Sequence, residues 1–299
     1  MIEVTGLCKG YQGQGNYVVS DVNLHVSKGT IHGLIGHNGS GKTTIIKCLT
    51  GIYPADAGEV RIHGEKIFEN PAVKEKVGYV ADSNQMFGGY RISQLARLYA
   101  KLFSAFSMEE FDSLNRVFQV DMKKKIGQLS KGQQMRVSFM LNMARKPEVM
   151  ILDEPTSGLD AMAKRDLLDI LVSAVENEEM TVLISSHHLS ELERICDSVT
   201  MLHQGRVQVQ DELDKVRRKV VKYQVVFPGG APEELYQRKD IYHISNMGSV
   251  YTVVLPEASE DFAGAMKSAG AVLVETMPVG LEESFVYMNR ARKGGDFSE

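Results

Sequence analysis

The chain has 299 residues, 43% of them hydrophobic and 24% charged, with a formal net charge of −4 at pH 7. That is ordinary for a globular chain of about two domains, and it gives no reason to invoke a nucleic-acid partner. The three cysteines, Cys8, Cys48 and Cys196, have no CxxC spacing, which argues against a disulfide framework or a zinc site and fits a reducing cytosol.

The N-terminus "MIEVTGLCKGYQ" lacks the basic-then-apolar pattern of a signal peptide. Residues 1–29 and 58–67 read as short strands with turn signals in "KGYQGQGN" and "HGEK", suggesting an antiparallel subdomain. Between them "TIHGLI", from Thr30 to Ile35, is short, apolar and β-branched, and reads as a buried strand. "TTIIKCLTG" reads as a helix that Gly51 can end. The loop joining strand to helix, Gly36 to Thr43, meets the pattern G-x-x-x-x-G-K-[ST] in the strand–loop–helix context that a phosphate cradle needs. Gly36, Gly39 and Gly41 let the backbone curl with its N–H groups inward, and Lys42 would reach the β- and γ-phosphates. The hydroxyl of Thr43 would lie on Mg²⁺. A glycine loop with a merely solvated lysine is the blander alternative, and the loop alone does not choose among kinases, GTPases and ATPases.

Residues 92–106 carry Ile92, Leu95, Leu98, Leu102 and Phe106 at helical spacing, and a second helix follows from Met108 to Phe118. In "LSKGQQMRVSFMLNMAR" (129–145), Ser130 and Gln133 form a capping-box signature ahead of Val137, Met140, Leu141 and Ala144. Ser130, Lys131 and Gly132 then lie at a helix N-terminus, where free N–H groups attract anions. In "VMILDEPTSGLD" (149–160), a buried strand ends in two acids. Asp153 would hold Mg²⁺ beside the phosphates, and Glu154 would face the attacking water as general base. No apolar run approaches the ~18 residues that span a bilayer, so the chain is not expected to cross a membrane alone. From about residue 210 the character changes. "DELDKVRRKVVK" is helix-like, "YQVVF", "SVYTVVL" and "AVLVETM" read as strands, and 232–237, 259–268 and "LEESFVYMNRARK" read as helices. The tail "KGGDFSE" reads as a mobile terminus.

These motifs, with "GHNGSGKT", "LSKGQ", "VMILDEP", "SGLD" and the histidine of "LISSHHLSELE" in this order, resemble those of ATP-binding cassette (ABC) ATPases over about residues 1–210. The resemblance implies an α/β P-loop NTPase cassette. It comprises a RecA-like core, an antiparallel β subdomain and a helical signature subdomain at about 84–145, within a domain at 1–213. A small C-terminal α+β domain follows at 214–299. By the same resemblance Asn38, Gly39, Ser40, Gly41, Lys42, Thr43 and Thr44 bind ATP, and Tyr11 stacks on adenine, with Tyr17 as the alternative. Ser130, Lys131, Gly132 and Gln133 would serve the nucleotide of a partner cassette, and Asp160 would couple the two sites. His187 would sense the γ-phosphate, ahead of its neighbour His188. Two positions depart from the family pattern: Lys131 stands where glycine is usual, and Asp82 where glutamine is usual, with Gln85 three residues on as the other candidate ligand for Mg²⁺.

The implied function is the ATP-hydrolysing subunit of a bacterial transporter at the cytoplasmic face of the membrane. Its partners would be a separate integral membrane permease and a second ABC ATPase subunit, in a homodimer or heterodimer. Its cofactors would be ATP and Mg²⁺, and its cargo an exported peptide or antibiotic-like substrate. The loop at 84–90 is the candidate docking point for the permease. A soluble ABC ATPase acting on ribosomes or nucleic acid is the alternative. A metabolic P-loop kinase is a third reading, against which "LSKGQ" and "SGLD" argue.

Overall fold

The structure is a computed structural model and describes residues 1–11, 16–82, 88–238, 240–256 and 260–291. In chain order the first elements are β1 (Ile2–Gly10), β2 (Tyr17–Val26), β3 (Ile31–Ile35), α1 (Lys42–Leu49), β4 (Ala57–Ile62), β5 (Glu65–Lys66), α2 (Pro71–Glu75) and β6 (Val77–Val80). Then come α3 (Ile92–Leu102), α4 (Met108–Phe118), a 3-10 turn at Ile126–Gln128, α5 (Lys131–Met143), β7 (Val149–Asp153), α6 (Ala161–Glu178), β8 (Thr181–Ser186), α7 (Leu189–Leu192), β9 (Ser198–His203) and β10 (Arg206–Glu212). The chain continues with α8 (Leu213–Arg218), β11 (Val221–Val226), α9 (Glu233–Gln237), β12 (His243–Met247), β13 (Val250–Leu255), α10 (Glu260–Ser268), β14 (Leu273–Met277) and α11 (Leu281–Ala291). Two compact units result, one of residues 1–188 with 195–210, the other of 189–194 with the chain from 211 onward.

The first unit is built on a six-stranded sheet in the order β10-β9-β3-β8-β7-β6. From β9 to β6 its neighbours run parallel. Strands β3, β7 and β8 are buried at every residue, as parallel strands covered on both faces must be. Parallel pairing also brings the carboxyl ends of these strands to one edge: Ile35 lies opposite Ser186, Asp153 opposite Ser185, and Val80 opposite Leu152. Among the polar residues buried in this sheet is His32, whose ring nitrogens bond Ser198 Oγ (2.7 Å) and Thr200 Oγ1 (2.8 Å). Burial lowers its pKa to about 4, so the ring is neutral.

A second sheet, β2-β1-β4-β5, is antiparallel. Its strands β1 and β2 are 9 and 10 residues long, where short strands were expected. They alternate buried and exposed side chains because only one face meets the core, where Val4, Leu24, Val60 and α1's Ile45 join one apolar cluster.

In the helical segment, α4 has the expected bounds because local chemistry fixes both ends. Ser107 Oγ accepts the Glu110 N–H at the start, and Gln119 takes a left-handed conformation at the end. α3 stops at Leu102, short of the expected Phe106. Phe103 is extended there, its ring covered by the Arg145 guanidinium at 3.8 Å, while Tyr99 contacts both Phe103 and Phe106. A cation–aromatic contact from far along the chain thus overrides the helical period. Leu102 is exposed.

The second unit holds β11-α9-β12-β13-α10-β14, a βαββαβ arrangement in an antiparallel sheet ordered β12-β13-β11-β14. Tyr223, Val225, Tyr251, Val253 and Phe262 form its own core. The expected strands and helices of this region are present, and β12 is an addition. The helix α7 belongs to this unit by packing: Arg217 Nη2 pairs with Glu193 Oε1 at 2.9 Å, and the same carboxylate accepts the Leu281 N–H at 3.0 Å.

Candidate active site

The glycine loop leaves β3 and enters α1 at the sheet's carboxyl edge. Gly41 is the N-cap of α1 with φ 104°, and a Cβ there would stand 2.4 Å from Val19 Cγ1, so no other residue fits. The loop walls a cleft of about 230 Å³ with Val18, residues 38–44, Asp82 and Glu154. Ser40 Oγ is buried in this cradle without a partner, a donor left for an incoming oxygen. Lys42 is 6% exposed; its Nζ donates to Gly36 O at 2.7 Å and stands 3.2 Å from Glu154 Oε1.

Two adjacent acids close the far side, and their surroundings differ. Asp153 is 1% exposed and accepts from Ser185 Oγ at 2.7 Å and from the Thr43 hydroxyl. Burial raises its pKa above the usual carboxylate value, and the neighbouring charges of Glu154 and Asp82 add to the rise. A buried acid without a cationic partner, beside a hydroxyl, has the hard-oxygen chemistry that fits Mg²⁺.

Glu154 sits at φ 50°, a left-handed conformation that turns its side chain back over the loop. Its N–H is held by Ser185 Oγ at 3.0 Å, and its Oε2 accepts from His187 Nδ1 at 2.7 Å. His187 follows β8 directly, is 40% exposed, and has the His188 ring 4.0 Å away. His188 donates its own N–H to Ser186 Oγ. Lys42, Glu154 and His187 therefore form one row, an ion pair followed by a hydrogen bond, across the mouth of the cradle.

Tyr11 places its hydroxyl 3.0 Å from Thr44 Oγ1 and its ring edge-on to Tyr53 at 5.8 Å. Thr44 is buried by that contact, whereas Asn38, Gly39 and Thr43 are exposed. Tyr17, the alternative aromatic, is exposed at the start of β2. Gln85, and residues 84–87 of the loop singled out for docking, lie outside the described residues; Gly88, Gly89 and Tyr90 are exposed.

At the start of α5, Ser130 and Gln133 make both bonds of the capping box, each at 3.2 Å. Gly132 packs on the turn after β7 so closely that a Cβ would stand 2.5 Å from Gly158 O. Lys131 Nζ donates to Asp82 Oδ1 at 2.8 Å and stands 3.4 Å from Ser157 Oγ. Asp160 caps α6 through the Ala163 N–H and pairs with Arg136; the backbone bond first, then Arg136, lowers its pKa.

Ser185 and Arg136 were missed in the sequence. Ser185 carries a legible signal, since a hydroxyl at the end of β8 falls in parallel register with Asp153. Arg136 gives none, because its partner is on another element.

A helix N-terminus and a glycine cradle select phosphate, so the molecule is a P-loop nucleotide-binding protein. Comparison with known proteins narrows the class. The family profile described as ABC transporter matches residues 19–157. The ABC transporter ATP-binding protein YtrB of Bacillus subtilis strain 168 is 31% identical over 286 residues, covering 96% of this chain and 97% of YtrB. The bacitracin transport ATP-binding protein BcrA of Bacillus licheniformis is 30% identical over 248 residues, covering 81% of this chain and 80% of BcrA. Among solved structures, an ATP-binding subunit of an ABC transporter is similar with TM-score 0.65 at 30% identity, over 73% of this chain and 92% of that one. The chain belongs to the ATP-binding subunits of ABC transporters, and its activity is ATP hydrolysis. Subunits of this family dimerise and work with membrane permeases.

Proposed function

We propose that this subunit docks peripherally on the cytoplasmic face of the membrane and drives a separate permease that exports a peptide or antibiotic-like compound. The bacitracin-transport relative supports the cargo class. No helix among the described residues is long and apolar enough to cross a membrane, and in this reading the path for cargo comes from a partner. In this reading residues 1–213 are the working cassette and 214–299 an accessory domain.

The row Lys42–Glu154–His187 carries the chemical reading. The backbone N–H groups from Asn38 to Thr44 and the α1 N-terminus hold the phosphates, and Lys42 leaves Glu154 to meet their charge. Thr43 and Asp153 would hold Mg²⁺, with Asp82 or, by the family pattern, Gln85 as the further candidate ligand, and the ion when bound would neutralise charge on the phosphate oxygens. Glu154, once released, takes the proton of the attacking water. His187 orients that carboxylate through Nδ1 and would sense the γ-phosphate. Tyr11 turns its ring to the adenine. From the second subunit, the N-terminus of α5 with Ser130, Lys131, Gly132 and Gln133 closes over the γ-phosphate, and Asp160 couples the two sites.

The test is purification of the tagged protein from gently solubilised native membranes, followed by mass spectrometry. A stoichiometric multi-span protein is the expected companion, together with greater sensitivity to peptide antibiotics when the gene is deleted. Recovery of the chain free of membrane protein, or bound to ribosomes, would contradict the proposal.

A further inference from the structure

Three carboxylates share the cleft region, and two lysines answer them. Glu154 faces Lys42, Asp82 faces Lys131, and the buried Asp153 has hydroxyl partners but no cation among the described residues. Asp82 lines the same cleft as Lys42, Thr43 and Glu154. A dication entering beside Asp153 therefore also attracts Asp82, and it makes one of the two lysines surplus.

Lys131 is the one free to leave. Its pair with Asp82 is half exposed, at 52% and 44%, whereas Lys42 is enclosed at 6%. Exposed pairs contribute little and exchange readily. Lys131 is also the first residue of α5, where the helix dipole repels a cation unless an anion stands close. Asp82 supplies that anion across 49 positions of sequence. Once Asp82 turns to a dication, the ammonium at this helix N-terminus needs another anion.

We propose that Lys131 is a switchable counter-ion: it neutralises Asp82 while the cleft is empty, is displaced when a divalent cation enters with nucleotide, and then adds its charge to the anion-binding N-terminus of α5. The proposal rests on the reading of Thr43 and Asp153 as the cation site. Its action on the cleft is that of a positioning residue, exerted through Asp82. Because linkage is reciprocal, an ammonium that the cation must displace lowers the affinity for that cation. The pair also joins the end of β6 to the helix α5, and Lys131's approach to Ser157 adds the turn after β7. Filling one cleft is thereby felt at the surface offered to the partner's nucleotide.

The test measures the affinity of a non-hydrolysable ATP analogue by calorimetry, in excess EDTA and in Mg²⁺, and takes the ratio as the cation preference. Four full-length proteins are compared: parent, Lys131→Met, Asp82→Asn and the double variant. Lys131→Met is expected to raise the preference about threefold, and Asp82→Asn to lower it. In the Asp82→Asn background, replacing Lys131 is expected to change nothing. An unchanged ratio in Lys131→Met would overturn the proposal. So would an equal rise in both backgrounds, which would mark a general charge effect. A parent with no cation preference would remove the underlying site and the proposal with it, and it is distinguishable because the parent alone reveals it. Both side chains are partly exposed and outside the core, so the variants should fold, and matching thermal transitions check this.

Discussion

The six-stranded sheet of the first unit and the four-stranded sheet of the second are both rich in valine, yet they carry different chemistry. In the first, parallel strands end at one edge, and residues from four separate stretches meet there: the loop after Ile35, Asp82, the Asp153–Glu154 pair and His187. In the second, antiparallel neighbours send successive loops to opposite ends. Its charges resolve into local or supporting pairs such as Arg238–Asp240, Lys222–Glu283 and Arg217–Glu193. A catalytic edge thus follows from strand direction as much as from the residues available.

The largest effect that would sharpen this contrast comes from Lys42→Ala. It removes the cation that faces both the cradle and Glu154, and turnover should fall about 10³-fold with weakened nucleotide binding, read by phosphate release and calorimetry. Turnover within tenfold of the parent would break the account of the edge.

His32 tests the sheet beneath the site. Its folded pKa of about 4 lies below the ordinary value of 6.5. The stability it supports is complete above pH 6.5 and is lost as pH falls towards 4, because only the unfolded chain takes up the proton. The loss amounts to about 3 kcal/mol. In urea titrations across that window, His32→Gln should lose correspondingly less than the parent. Parallel pH profiles would contradict the buried neutral ring.

His187→Ala should lower turnover about tenfold with nucleotide affinity little changed, since it orients Glu154 without replacing it. The smallest effect is expected in the second unit. Arg217→Ala breaks a half-buried pair with Glu193 and should cost about 1 kcal/mol of stability, with turnover within about twofold of the parent. A large loss of turnover would show that the second unit governs the catalytic edge and would dissolve the contrast.

What the sequence made legible was what short stretches decide. The cradle needs a strand, glycines and a helix in immediate succession; the capping box of Ser130 and Gln133 and the bounds of α4 are equally local. The end of α3 was not legible, because Arg145 stacks on Phe103 from 42 positions away in the sequence. Nor was the Lys131–Asp82 pair, in which two unusual residues answer one another only after folding. Ser185 lies between these cases, since its role needs the pairing of β7 with β8, which two largely apolar strands suggest but, lacking alternation, do not fix in register. The short helix α7 lies just after His187 in sequence but packs with the second unit, a choice made by Arg217 and α11.

The most direct test of the account is the turnover of Glu154→Gln, measured alongside nucleotide binding and dimer formation. The substitution keeps the size of the side chain and removes its basicity. The account predicts a fall of about 10²–10⁴-fold in hydrolysis, with ATP still bound and a nucleotide-dependent dimer accumulating. Hydrolysis within tenfold of the parent would contradict the assignment of Glu154 as the general base.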